Sequence, residues 1–288
     1  MAATPPAHGE LPRISVVTPS LNQADFLDET ISSVVGQGYP ALEYVVVDGG
    51  STDSSVEVIR RHEPAIARWV SEPDGGHAAA IDKGFAMTTG EIMAWINSSD
   101  IYFPWTLSTV AGVFRDLPEV EWITGMQSHF DTGAQPRAVV RDFCNRYDLL
   151  AGQRFVQQES VFWRRSLWEQ AGGGLDESLA LACDYELWLR FSRHADLYHV
   201  GTLLASFRYH DDGRGSVQWR DYLSEVHEAG GAECARLSER DQRRVRLIRR
   251  LGSRKQAVPA LVAKSGLLPW YRHARIGYDF ARARWTTI

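Results

Sequence analysis

The stretch Tyr44-Val45-Val46-Val47-Asp48-Gly49-Gly50-Ser51-Thr52-Asp53 decides the fold. Its apolar run is too short for a helix and rich in β-branched residues, and Asp-Gly-Gly stops it before a helical pattern opens near Ser54. This is a buried strand, a loop and a helix. Upstream the order is the same. Ile14 to Thr18 ends at Pro19, polar Ser20-Leu21-Asn22-Gln23 follows, and Phe26, Leu27, Ile31, Val34 and Val35 then recur at helical spacing. Downstream, Ala67 to Val70 passes through Glu72-Pro73-Asp74-Gly75-Gly76 into a helix containing Ala78 to Ala86. A fourth strand, Glu91 to Ile96, ends at Asn97-Ser98-Ser99-Asp100. Strands alternating with helices need crossover connections, so the expected fold is α/β, a Rossmann-like and mostly parallel sheet flanked by helices. Its ligand crevice should lie at the carboxyl ends of the strands, where every one of these polar clusters falls.

The chain has 288 residues, 44% of them hydrophobic, enough for a substantial core and too many for a disordered chain. Three widely spaced cysteines show neither zinc-ligand nor disulfide-framework spacing. No apolar stretch of about 18 residues and no basic-then-apolar leader occurs, so a cytoplasmic protein, soluble or peripherally bound, is expected. Charge is unevenly placed: from Arg236 onward 14 basic residues face three acidic ones, a net +11, against −16 for the rest. A basic tail carrying Leu247, Ile248, Leu251, Leu267, Leu268, Trp270 and Tyr271 reads either as a solvated helical face or as a peripheral membrane contact at the inner face of the membrane. The expected divisions are a flexible 1–11, an α/β domain over 12–218 with halves 12–120 and 121–218, and a basic helical region over 219–288. Nucleic acid is not an expected partner, because the body is acidic and no base-reading module is present. No Gly-x-Gly-x-x-Gly follows the first strand, which argues against a dinucleotide enzyme.

Several side chains carry chemistry at the strand ends. Asp48 can accept from a ribose or base, and the glycines after it permit close backbone approach; turn or cap formation is the competing role. Asp74 has the same two readings. Lys83 can neutralise a diphosphate or stay solvated. Asn97, Ser98, Ser99 and Asp100 gather hard oxygen donors of the kind a divalent cation needs, with one carboxylate among them; helix capping by Asp100 is the alternative.

Taken in order, Val17-Thr18-Pro19-Ser20-Leu21-Asn22, Val46 to Asp53, Ser71 to Gly76 with Lys83-Gly84, and Trp95 to Tyr102 resemble the family 2 glycosyltransferases of the GT-A fold, over roughly residues 12 to 215. The resemblance implies that Thr18, Pro19 and Asn22 line a nucleotide pocket, that Asp48 holds the base, and that Asp74 and Lys83 border the nucleoside and phosphates. Residues 12–120 would then be the nucleotide-sugar half and 121–218 the acceptor half. Asn97 and Ser98 would touch the donor. The fourth motif resembles the family's Asp-x-Asp metal site but departs from it, with Asn97 first and Ser99 at the usual ligand position. Neutral oxygens bind Mg²⁺ or Mn²⁺ more weakly than carboxylates, which leaves three outcomes: Asp100, with His210, ligates the metal in place of the missing residue, basic side chains take over, or the enzyme is impaired. Arg208 and Arg214 are the expected basic clamps on the leaving diphosphate, with Gly215 and Ser216 following in the same segment.

The resemblance also implies an inverting transfer from a nucleotide-diphosphate sugar, a UDP-sugar first, to a hydroxyl of a saccharide or lipid-linked saccharide in cell-surface polysaccharide or glycolipid assembly. Asp184, in Ala182-Cys183-Asp184-Tyr185-Glu186, matches the family's acidic acceptor motif and is the expected base. Glu186 is a rival, but residues two apart point to different sides of a helix. Gln157, Gln158 and Glu159 resemble residues that approach donor or acceptor. The other class of reading is a catalytically impaired, glycosyltransferase-like protein that serves as a nucleotide-binding or scaffold protein. Convergence of Asp184 and His210 on the same cleft as Asp48 distinguishes the two, because a decayed site has no need to preserve it.

Overall fold

In the computed structural model, which describes residues 11–152, 154–210, 218–252 and 268–288, each β-branched run forms a central strand. Strands β1 (Ile14–Ser20), β2 (Leu42–Asp48), β3 (Arg68–Ser71) and β4 (Ile92–Trp95) alternate with helices α1 (Ala24–Val35), α2 (Ser55–His62) and α3 (His77–Ala86). β1 pairs in parallel with β2 and β4, and β2 with β3. Successive side chains point to opposite faces. Val17, Val45 and Val47 pack with Ile81 and Phe85 of α3, while Val16, Tyr44 and Val46 pack with Leu27, Ile31 and Val34 of α1. Burial on both faces explains why these strands read as continuous apolar runs. Gly84 is where α3 crosses β1: a Cβ there would come within 2.4 Å of Val17.

Then follow β5 (Ile101–Tyr102), α4 (Thr106–Asp116), β6 (Trp122–Asp131), β7 (Pro136–Val140), α5 (Arg146–Ala151), β8 (Val161–Arg164), α6 (Arg165–Gln170), α7 (Cys183–Phe191), β9 (Leu197–Leu203) and β10 (Ala205–Tyr209). β8 runs antiparallel between β4 and β6, and β6 pairs in parallel with β9. Beyond them come α8 (Trp219–Ala235), α9 (Glu239–Gly252), β11 (Ala274–Asp279) and β12 (Arg284–Thr287). The main sheet has the order β12-β11-β9-β6-β8-β4-β1-β2-β3 and is mostly parallel.

Two expectations for the C-terminal region are corrected. It is not helical to its end: β11 adds in parallel to the edge of β9, satisfying backbone groups that an uncovered edge would leave open, and Ile276 enters the core. The apolar side chains offered to a membrane face inward instead. Ile248 and Tyr271 are fully buried, and Leu251, Leu268 and Trp270 pack on the cluster containing α5 and α7; Leu247 is 38% exposed. Leu267 lies outside the described residues, as do residues 1–10 of the expected N-terminal arm. Among the described residues no helix is long and apolar enough to cross a membrane.

Candidate active site

The loops at the carboxyl ends of β1, β3 and β4 form one wall of a cleft of about 770 Å³. Residues 19–21 and 23, Asp74, Gly76 and Asn97 to Asp100 come from this half. Gln127, His129, Phe155, Gln158, Glu159, Asp184, Phe207, Tyr209, His210, Trp219 and Tyr222 come from the rest of the chain. Among the described residues the lining contains no lysine or arginine.

Asp48 does not line the cleft, so Asp184 and His210 share it with Asp74 and the Asn97–Asp100 loop but not with Asp48, which organises the loop beneath it. Its carboxylate accepts from the backbone of Gly50 and Ser51 at 3.2 and 2.9 Å and from the Ser71 hydroxyl at 2.7 Å. Asp74 does reach the cleft, where Oδ1 accepts from the Gly76 N–H at 2.8 Å. A Cβ on Gly49 would sit 3.0 Å from its carboxylate, so the glycine admits Asp74. Thr18 is buried under the floor, sharing a hydrogen bond of 2.9 Å with the Tyr44 hydroxyl. Asn22 ties two loops together, accepting from the Thr52 N–H at 2.9 Å and donating its own N–H to Ser51 Oγ at 2.7 Å. Pro19 lines the cleft. Lys83 is not brought there: its Nζ pairs with Glu72 at 3.0 Å.

Asn97, Ser98, Ser99, Asp100 and His210 all line the cleft, so the fourth motif and the histidine converge. Asp100 is completely buried, accepting from the Arg208 backbone N–H at 3.0 Å, and burial pushes its pKa up to about 7. Arg208 stands behind this loop rather than in the cleft. Its Nε donates to the Ser99 carbonyl at 2.8 Å, its Nη2 pairs with Glu29, and its guanidinium lies 4.9 and 4.3 Å from the Phe26 and Phe130 rings. It braces the Asn97–Asp100 turn. Arg214, Gly215 and Ser216 lie outside the described residues.

On the far side, Asp184 sits in the first turn of α7, with the Tyr185 N–H donating to its Oδ1 at 2.7 Å. Burial raises its pKa to about 7, and the nearby Glu225 charge adds to the rise. Glu186 points away into a bidentate pair with Arg190 at 2.9 Å, as the helical spacing required. Glu159 is 2% exposed, accepts from Gln157 Nε2, and has its pKa raised by burial and then by the Asp100 charge. Gln157 is spent on both backbone groups of Ser128, at 2.8 and 2.7 Å, and Gln158 donates to the Trp95 carbonyl at 2.8 Å.

A family model described as glycosyl transferase family 2 matches residues 15–137. An uncharacterized glycosyltransferase of Mycobacterium tuberculosis (strain H37Rv) is 30% identical over 198 residues, 68% of this chain and 75% of the relative. This chain belongs to glycosyltransferase family 2. A further relative, an uncharacterized glycosyltransferase of Rickettsia typhi, is 25% identical over 214 residues, 69% of this chain and 65% of its own length. The fold is that of solved GT-A enzymes. Staphylococcus aureus TarS 1-349, solved with UDP-GlcNAc, superposes with a TM-score of 0.65 at 16% identity, over 81% of this chain and 70% of that one. The mannosyltransferase PcManGT of Pyrobaculum calidifontis, solved with GDP-Man and Mn²⁺, gives 0.62 at 21% identity, over 90% and 77%.

The glycosyltransferase cleft also contains residues that the sequence patterns did not single out. Trp219 and Tyr222, three apart on the first turn of α8, face it together with Phe155. Their signal was present in the helical spacing of two aromatics, but nothing local says that α8 packs beside α7. That packing is made by Glu225, whose carboxylate accepts from the N–H groups of Ala180, Leu181 and Ala182 at 3.2, 2.9 and 2.8 Å and so caps the entry to α7. Eleven buried side-chain polar atoms lack a hydrogen-bond partner among the described residues. Five belong to residues lining the cleft: Ser20 Oγ, Trp95 Nε1, Asn97 Oδ1, His129 Nδ1 and Gln158 Oε1.

Proposed function

We propose that this family 2 enzyme moves a sugar from a nucleoside-diphosphate sugar, a UDP-sugar first, onto a saccharide hydroxyl in a single inverting displacement. The observation that carries the reading is that Asp184, with its pKa at about 7, lines the same cleft as Asp74, the Asn97–Asp100 loop and His210. The acceptor hydroxyl oxygen bonds to the anomeric carbon as the bond from that carbon to the diphosphate oxygen breaks. Asp184 takes the hydroxyl proton, and the nucleoside diphosphate leaves with the bonding pair. A pKa near neutrality suits a general base, since the carboxylate is then ionised in a useful fraction and still basic enough to accept the proton. UDP-GlcNAc and GDP-Man in the structural neighbours support a nucleotide sugar as donor.

The residues fit a divalent cation in part. Asp100 offers a carboxylate and Asn97 a buried oxygen without a partner, in a lining that lacks lysine and arginine among the described residues. No group of three or more His, Cys, Asp or Glu gathers as a metal cluster among them. Asp100, Asn97 Oδ1 and His210 would therefore hold Mg²⁺ or Mn²⁺ jointly with the donor's own phosphates, and the ion would neutralise the departing diphosphate. Arg208 and Asp48 act in this reading by holding their loops in shape.

Calorimetric titration with UDP, GDP and dTDP, each with Mn²⁺ and with EDTA, tests the pocket, the base and the ion together. Binding of one nucleotide that needs Mn²⁺ is expected. Binding of none would return the chain to the scaffold reading.

A further inference from the structure

We propose that Trp219, Tyr222 and Phe155 form the acceptor subsite and that it takes an uncharged pyranose ring. The proposal rests on the transferase reading above and names the acceptor class of the same cleft. Trp219 is 46% and Phe155 37% exposed, although both line a cleft in a protein whose other tryptophans are mostly buried. Trp219 and Tyr222 are stacked with centroids 5.3 Å apart and 16° between planes, so the pair stands as one stiff aromatic block. Phe155 meets them edge-on at 6.2 and 6.0 Å and forms the side of a corner. The flat face of such a block matches the C–H face of a six-membered sugar ring, whereas an extended acyclic polyol presents no comparable face.

Three independent features hold the platform in place and set its charge. Glu225, further along α8 from Trp219, caps α7, so the helix that presents the aromatics also fixes the entry of the Asp184 helix. Gln127 Nε2 donates to the Phe155 carbonyl at 2.7 Å and secures the corner. On this side the lining carries the carboxylates of Glu159 and Asp184, whose negative charge when ionised disfavours a phosphorylated acceptor ring. Burial lowers the pKa of His129, keeping a neutral imidazole on the cleft lining.

The experiment compares wild-type protein, Trp219→Ala and Trp219→Phe on arrays of immobilised uncharged gluco-, galacto- and mannopyranose oligosaccharides, with UDP titration in Mn²⁺ run in parallel. Wild type should bind at least one series, Trp219→Ala should weaken that binding by about tenfold or more, and Trp219→Phe should restore most of it, with UDP affinity changed by less than about twofold. Thermal melting checks folding, and Phe155→Ser gives a second test should Trp219→Ala fail to fold. Glycan binding unaffected by both variants overturns the proposal. So does a UDP affinity that falls with Trp219→Ala as far as glycan binding does, since the platform would then hold the nucleobase. Wild type that binds UDP but no pyranose series overturns the subsite and leaves the transferase reading standing; wild type that binds neither overturns both.

Discussion

The two walls of the cleft are built on different principles. On the side proposed for the donor each loop follows a parallel strand, and part of its bonding is local, as where Asp74 accepts from Gly76, while Arg208 braces the Asn97–Asp100 turn from far along the chain. On the side proposed for the acceptor Phe155, Asp184 and Trp219 arrive from three separated segments and meet through α7 and α8. Local hydrogen bonding shapes the motifs of the first wall, and Asn22 and Arg208 tie them together. The second depends on packing, where Glu225 reaches across to the α7 entry and Arg193 pairs with Glu233 at 2.5 Å. The difference is one of origin: one wall is assembled mostly from short motifs at strand ends, the other from contacts between distant segments.

The sharpest way to break this comparison is at Asp184. Asp184→Asn is expected to lower kcat by about 10²- to 10⁴-fold while leaving nucleotide affinity nearly unchanged, measured by transfer assay and calorimetry. In wild type the rate should rise with pH through about 7, because the base works ionised and burial has raised its pKa to that value. A loss of nucleotide binding equal to the loss of rate would show that the walls are not separable.

Asp100 tests the donor wall. Asp100→Asn should weaken UDP binding in Mn²⁺ by about tenfold or more, the usual cost of disturbing a metal site, and abolish its sensitivity to EDTA. Equal sensitivity in variant and wild type would remove Asp100 from ion binding.

Glu159 lies between the walls, its pKa raised by burial and by Asp100. The folded protein therefore binds a proton more tightly than the unfolded chain, whose glutamate titrates near 4.5. Stability contributed by the protonated form is lost as pH rises above that value. Glu159→Gln keeps the bond from Gln157 and removes the ionisable group. It should raise the melting temperature at pH 8 by roughly 2–6 °C, with the gain shrinking toward pH 4.5. A gain independent of pH would mean that charge burial is not the cause.

The smallest effect is expected at Lys83. Paired with Glu72 outside the cleft lining, it should change UDP affinity by less than about twofold when replaced by alanine. A tenfold loss would place it on the donor after all.

The β1 to β4 order, the polar strand ends and the candidate base were legible because each is a local pattern. Tyr44 to Val47 read as one apolar run because both faces of the strand are covered, and Asp184 opens an amphipathic helix whose spacing turns Glu186 away. Arg208 was harder to read. An arginine near a motif has the same letters whether it clamps a phosphate or, as here, lies buried against Phe26 and Phe130 to hold the Ser99 carbonyl. The C-terminal aromatics misled for a related reason: apolar residues among cations describe an interfacial helix and an inward-packed segment equally well, and Tyr271 and Trp270 are the latter.

By itself the sequence determined the mostly parallel α/β core, the family and the polar loops at the strand ends, because strand burial, turn chemistry and motif order act over a few residues. Tertiary structure alone decided which charged groups enter the cleft, how α8 caps α7, and that Trp219, Tyr222 and Phe155 share one wall. Those outcomes depend on contacts between segments tens of residues apart, and neither residue type nor spacing encodes which distant partner a side chain will meet.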